Sequence, residues 1–291
     1  MAGVTESGVS IGWAWTLLAA IGWSAFDVAR KRLVASMAPV PLTAALGFAQ
    51  APLFAAWALA AGDPPLDPAA YALPGSVVLV ANTAACLLFF WSLAQADLGR
   101  AIPMLSLTPA WSVVIAAVWL DERPSSSALA GIALVVAAAA LLAFRPGRGP
   151  GRWDRGVVGM AGVALLWAIT SVGDKAALAV VPGGTHAAVQ TIALALLLSA
   201  WLASRGGLAS LRPPAASLRT FALGTVVSVA ALGCQLAALG SLQVGVMEAG
   251  KRAFGVVAAV ALGRWLFHER PGRREWLAAA LMVPGVVLLT A

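Results

Sequence analysis

Charge is what this sequence is short of. Lys, Arg, Asp and Glu make up 11% of its 291 residues, against roughly a quarter in a soluble globular domain. So few charges cannot cover the surface of a soluble fold this long, which excludes that class. Carboxylates are the scarcer sign, with 12 Asp and Glu against 19 Lys and Arg. There are 2 cysteines, Cys86 and Cys234, each inside an apolar run. They exclude a disulfide framework and read as buried packing residues. The 2 histidines, His186 and His268, are far apart, and no His, Cys and carboxylate group has metal-ligand spacing. No metal or other cofactor is expected. The first ten residues hold no Lys or Arg. A secretory signal needs a positive n-region, so the first apolar run is expected to be a retained helix.

What the chain has is apolar length. Hydrophobic residues make up 61% of it, in runs long enough to cross a hydrocarbon core, which takes roughly 20 residues of helix. Ten spans are expected, at about residues 11–29, 40–61, 73–96, 101–120, 126–144, 157–173, 184–203, 218–241, 245–267 and 275–291. Long unbroken runs exclude a membrane barrel, whose strands alternate over about ten residues. The stretch Arg145 to Gly156, rich in Arg and Gly, is the expected linker, dividing the chain into halves at 1–148 and 149–291.

The halves repeat. Asp121-Glu122-Arg123-Pro124 and His268-Glu269-Arg270-Pro271 share Glu-Arg-Pro at a shift of 147, and Trp23 and Lys31 match Trp167 and Lys175 at a shift of 144. Two matches at nearly one shift imply duplication. Five spans per half is an odd number, so consecutive halves are expected to be inverted, a common plan of secondary transporters.

The positive charges set the expected orientation. One set of loops and helix ends holds fifteen of the 19 Lys and Arg: Arg30, Lys31, Arg32, Arg100, Arg145, Arg148, Arg152, Arg155, Arg205, Arg212, Arg219, Arg264, Arg270, Arg273 and Arg274. The other side has Arg123, Lys175, Lys251 and Arg252. The positive-inside bias places the fifteen in the cytoplasm of a bacterial cell and both termini outside its plasma membrane. Basic tracts set between apolar runs are membrane loops, so nucleic acid is excluded as a partner despite the net charge of +7.

Two five-helix halves, each with a Trp-to-Lys spacing in its first helix and a Glu after its fourth, resemble the EamA-type branch of the drug/metabolite transporter superfamily. Thr108-Pro109-Ala110-Trp111 through Glu122, and Gly131-Ile132-Ala133-Leu134, carry the same resemblance. It implies a central cavity lined by helices three, four, eight and nine, with one and six contributing and five and ten peripheral. It also implies a carrier of amino acids, metabolites or drugs, similar in some members to aromatic amino-acid exporters. The second half departs from the pattern: span nine has no proline matching Pro109 and carries Lys251-Arg252 instead.

Ionisable groups inside a bilayer cost roughly 3 kcal/mol each on insertion scales, so they mark function by default. Glu248, Lys251 and Arg252 stand three and four apart and can share a helix face. They either present a cation to a substrate carboxylate or phosphate, or form an internal ion cluster with the cations snorkelling outward. Trp23, Trp91, Trp111 and Trp167 lie away from span ends and can stack on a planar substrate, Trp111 and Trp167 ranking higher for their helices. Trp13, Trp15, Trp119, Trp201, Trp265 and Trp276 read as interface anchors. Asn82 and Gln235 fall on helices the resemblance assigns to the cavity and outrank Gln50; Ser106 joins them as a mid-span polar group. Pro103 and Pro109 suggest a bent, mobile fourth helix. His186 and Gln190 share a face, with His186 expected near water. Asp27 with Lys31, and Asp174 with Lys175, are expected to be interfacial ion pairs, which leaves no proton carrier to name.

The expected function is a monomeric secondary transporter of a small metabolite, an amino acid and an aromatic one fitting the tryptophans, working as an exporter by alternating access. The alternative is a flippase or exporter of a lipid-linked or amphipathic drug-like molecule on the same fold. An intramembrane enzyme ranks below both. The sequence has no His-Glu-x-x-His and no paired Asp within a span, so no metal site or carboxylate pair of an enzyme is set together. The loops are too short to make a scaffold.

Overall fold

The computed structural model describes residues 6–95, 102–143, 155–254 and 273–290. Among them there are ten α-helices and no strand. In chain order they are α1 (Glu6–Leu33), α2 (Pro39–Ala61), α3 (Pro68–Gln95), α4 (Thr108–Trp119), α5 (Ser126–Ala143), α6 (Arg155–Leu178), α7 (Gly183–Ala203), α8 (Leu218–Leu239), α9 (described over 244–254) and α10 (Arg273–Thr290). Each falls on an expected span. The helices α1, α2, α3, α6, α7 and α8 are long and apolar enough to cross a membrane. Arg155 and Gly156 of the expected linker already belong to α6; the rest of the linker, the far end of span nine and the Glu269 copy of Glu-Arg-Pro lie outside the described residues.

Span four is not the single helix expected. Ile102–Leu107, which includes Pro103, is a 3-10 helix, and the α-helix begins only at Thr108. Pro109 explains the break. It has no N–H for the carbonyl of Leu105, and the Thr108 hydroxyl donates to that carbonyl instead, at 2.6 Å. Pro109 therefore stands in the first turn of α4 and not inside it, where its missing N–H costs little. At 2.0 Å and 1.5 Å per residue, the two pieces together still reach about 30 Å, one hydrocarbon thickness.

The helices pair across the halves. α1 packs on α8, α3 on α6, α2 on α7 and α5 on α10, while α4 leans on α6. The ring of Trp13 in α1 meets Phe254 of α9 edge-on. This pairing is unchanged when helices one to five are exchanged with six to ten. Small residues allow the close approach, as membrane helix packing requires. A Cβ on Gly22 would lie 2.8 Å from Ala231, one on Gly47 2.8 Å from the Thr191 carbonyl, and one on Gly131 2.6 Å from the Gly285 carbonyl.

Loop contacts sort the helix ends into the two sets that the charge count uses. At one end Asp63 accepts from the backbone N–H and hydroxyl of Thr185, and Gly12 sits against Ser241 and Leu242. Gln243 donates to the Arg123 carbonyl there. At the other end the Ser36 and Ser217 hydroxyls meet at 2.8 Å. An apolar groove of about 490 Å³ opens at this second end, lined by Pro39, Pro41, Leu87, Trp91, Trp201 and Ser210 among others. Of the candidate binding residues only Trp91, one of the lower-ranked tryptophans, lines it.

Candidate functional site

The site is assembled from the amide of Gln235, a buried side chain of α8. Its Oε1 accepts from Trp23 Nε1 of α1 at 2.9 Å and from Lys251 Nζ of α9 at 2.8 Å. Lys251 also donates to Glu248 Oε1 at 2.7 Å, one helical turn away. The same carboxylate oxygen accepts from the Ser171 hydroxyl of α6 at 2.7 Å. Four helices, α1 from the first half and α6, α8 and α9 from the second, thus converge on three polar atoms. Gly250 makes room on the neighbouring face of α9, where the Trp13 indole lies against it.

Lys251 points inward. Its side chain is 12% exposed and that of Glu248 1%, so snorkelling to the lipid headgroups is ruled out for this lysine. An ammonium has three N–H groups, and two of Lys251's are used. Two more valences are unmet among the described residues: the Oε2 of Glu248 and the Nε of Arg252 are buried with no hydrogen-bond partner. The cluster carries one anion and two cations. Buried unpaired polar atoms cost about 1–3 kcal/mol each, so a cluster that keeps a donor and an acceptor unmet is poised for a ligand that has both.

The other candidates lie apart from these bonds. Asn82 is half-buried on α3, with its Oδ1 facing the Cys86 thiol. Ser106 is buried in the 3-10 turn. Trp111 is 41% exposed. Trp167 stacks on Phe89 at 5.4 Å between ring centroids, in the α3–α6 interface. Of the tryptophans marked as deep, Trp23 is the one bonded to the cluster. Trp13 and Trp119, expected as interface anchors, are half-buried and pack on core residues of α6, α8 and α9.

Of the two expected ion pairings one is corrected, and so is the expected exposure of His186. Asp27 bonds Arg30 at 2.6 Å, one turn along the helix; its expected partner, the Lys31 side chain, lies outside the described residues. Asp174 does not pair with its neighbour Lys175. Successive residues of a helix project about 100° apart, so the two groups face different partners. Lys175 Nζ lies 2.5 Å from Glu122 Oε1 and donates to the Leu242 carbonyl at 2.6 Å. Asp174 Oδ1 instead meets His186 Nε2 at 3.0 Å. His186, expected near water, is 2% exposed, because Tyr71 and the α6–α7 contact close over it.

Glu122, which in the sequence marks the duplication and the family resemblance, has a structural place as well. Asp121, in the left-handed region at φ 52°, turns the chain out of α4, a conformation Asp tolerates better than most residues. The turn sends Glu122 to the start of α9. There its Oε2 accepts the Val244 N–H at 2.8 Å, capping the helix that carries Glu248 and Lys251.

A family model described as the EamA-like transporter family matches the chain twice, over residues 10–144 and 154–291. No curated protein matches it. A solved structure titled only as the crystal structure of a protein is similar in fold, with a TM-score of 0.78 at 22% identity, over 98% of this chain and 98% of that one.

Proposed function

Because the chain belongs to the EamA-like transporter family, we propose that it is a secondary transporter of a small zwitterionic metabolite, an aromatic amino acid fitting best. The cluster at Lys251 carries this reading. A substrate carboxylate meets the remaining N–H of Lys251 and the Nε of Arg252, and a substrate ammonium meets Glu248 Oε2. Trp23, fixed by Gln235, offers an indole beside the same group, with Trp111 and Trp167 as further aromatic surfaces of a central cavity. The repeat and the exchange symmetry of the helix pairing support alternating access by two inverted halves. The 3-10 junction at Pro103 and Pro109 supplies a place for α4 to bend. The membrane is the plasma membrane, with both termini outside, and the direction is export.

The test is counterflow of labelled L-phenylalanine by purified protein in liposomes, competed by two truncated analogues. Phenylalanine itself is expected to compete. Phenethylamine, which lacks the carboxylate, and 3-phenylpropionate, which lacks the ammonium, are each expected to compete at least tenfold more weakly, the loss of roughly one charge-assisted hydrogen bond of about 1.5–3 kcal/mol. Equal competition by either analogue would remove the corresponding half of the site.

A further inference from the structure

A second polar cluster stands next to the first and is not absorbed by substrate binding. His186 lies in the first turn of α7 and Asp174 one turn before the end of α6, each about 5–6 Å below its helix end at 1.5 Å per residue. Their side chains are 2% and 6% exposed. Tyr71 of α3, the only tyrosine in the chain, places its hydroxyl 2.7 Å from His186 Nδ1. Gln190 Nε2 donates to that hydroxyl at 2.8 Å and to the Gly75 carbonyl at 2.9 Å.

The chemistry of these atoms fixes the proton positions at the Gln190 end and leaves the imidazole of His186 free to take or give up a proton. The Gly75 carbonyl can only accept, so the Gln190 atom facing it is the NH₂ group. That group therefore also donates to Tyr71. When His186 is neutral with its proton on Nε2, Tyr71 directs its own hydrogen to Nδ1, which accepts. His186 then donates its Nε2 proton to Asp174. The chain of bonds runs Gln190 to Tyr71 to His186 to Asp174 and ends on an ionised carboxylate beside a neutral imidazole. This leaves one net negative charge buried in a membrane protein.

Around it, the excess positive charge is that of the Lys251 cluster, and the other neighbouring charges are bonded elsewhere. α2, packed on α7, has no ionisable residue, and Asp63 just beyond it is bonded to Thr185. On α3, Asp67 caps its own helix at Ala69 and Ala70. On α6, Lys175 is bonded to Glu122 beyond α4 and to the α8–α9 turn. The ionisable residues of α8 are Arg219 at its far end and Cys234. On α9, Lys251 feels the charge of Asp174 and is hydrogen-bonded to Glu248 and Gln235, with Arg252 beside it.

We propose that Asp174 and His186 bind the proton that travels with the substrate, a reading that rests on the carrier function above. One proton enters at His186 Nδ1, giving an imidazolium–carboxylate pair of zero net charge. The Nδ1–H then donates to Tyr71, whose hydrogen must turn to another acceptor, so the contact between α3 of one half and α7 of the other is rearranged. Ser171, one turn before Asp174, is bonded to Glu248. The two sites therefore share one turn of α6. The added positive charge also strengthens the pull of the Lys251 site on a substrate carboxylate, and by linkage a bound substrate favours the proton.

Two experiments separate the proton site from the substrate reading. The chain has 2 histidines, so His268→Gln leaves His186 as the only imidazole. Nitrogen-15 NMR of histidine-labelled protein in bilayers is expected to show one neutral tautomer, Nε2-protonated, at about pH 9 and an imidazolium by about pH 5, with no imidazolium when Asp174→Asn is added. A His186 that stays neutral over that range, or is indifferent to Asp174, overturns the site. In liposomes holding a pH dye, a phenylalanine gradient is expected to move protons in the same direction as the amino acid. Asp174→Asn, which imitates the protonated charge state, and His186→Gln, which keeps a donor and an acceptor, are each expected to exchange labelled phenylalanine with proton movement reduced at least tenfold. Proton movement that persists in both variants, or runs against the substrate, overturns the coupling. If phenylalanine is not carried at all, the substrate reading fails and the NMR result alone decides the proton site.

Discussion

Replacing Glu122 by Ala removes two interactions at once, and their sizes can be separated. The first is the cap on α9 through the Val244 N–H, worth about 1 kcal/mol by analogy with side-chain caps. The second is the ion pair with Lys175, whose side chain is 26% exposed against 10% for Glu122. An exposed pair contributes about 0.2–1 kcal/mol and a hydrogen bond to a charged group about 1.5–3. This partly buried pair falls between them, near 1–2. The variant should therefore lose about 2–3 kcal/mol. Glu122→Gln, which keeps an oxygen for Val244, should lose only the ion-pair share. Thermal unfolding in detergent, read by tryptophan fluorescence, gives the order wild type, Gln, Ala. A cycle with Lys175→Met assigns the pair: a coupling of about 1–2 kcal/mol is expected. Coupling below about 0.5 kcal/mol, the limit within which independent sites add, would refute the claim that this salt bridge ties the end of α4 to α6.

Other expectations follow from single contacts. Thr108→Val should destabilise by about 1 kcal/mol, because it orphans the Leu105 carbonyl that Pro109 cannot serve; Ser at this position should restore the wild-type melting temperature. Gly131→Val should cost about 1–3 kcal/mol by overpacking, since its Cβ meets the Gly285 carbonyl at 2.6 Å, backbone that cannot rotate away, and then the Leu289 side chain at 3.0 Å; a neutral result in a melting assay would contradict the α5–α10 packing. A reporter active only in the cytoplasm should be silent when fused after Ala291 and active when inserted between α7 and α8, and the reverse result would invert the orientation.

The fold was legible because lipid simplifies the code. Each helix must satisfy its own backbone, so apolar run length alone located all ten. The break at residue 107 was harder, although Pro109 announced it: the sequence shows the missing donor but not that Thr108 takes its place. At the site, the spacing of Glu248 and Lys251 placed them on one face, and the positive excess pointed to a ligand. Gln235 was reachable only through the family's helix assignment, and Ser171 and the role of Trp23 not at all, because they meet the cluster across 77 and 212 residues of chain. Asp174 misled for a different reason. Its sequence neighbour is a lysine, and adjacency in a helix is not contact. The sole tyrosine and a histidine at four-residue spacing from Gln190 were the available signs that the group was buried and shared.

The most direct measurement is phenylalanine transport by Lys251→Gln protein, normalised to the amount in the membrane and compared with wild type. The account predicts a KM about 10–100-fold higher, the loss of one charge-assisted hydrogen bond of about 1.5–3 kcal/mol, with membrane abundance close to wild type. An unchanged KM, or a loss accounted for entirely by missing folded protein, would reduce Glu248, Lys251 and Gln235 to a structural cluster.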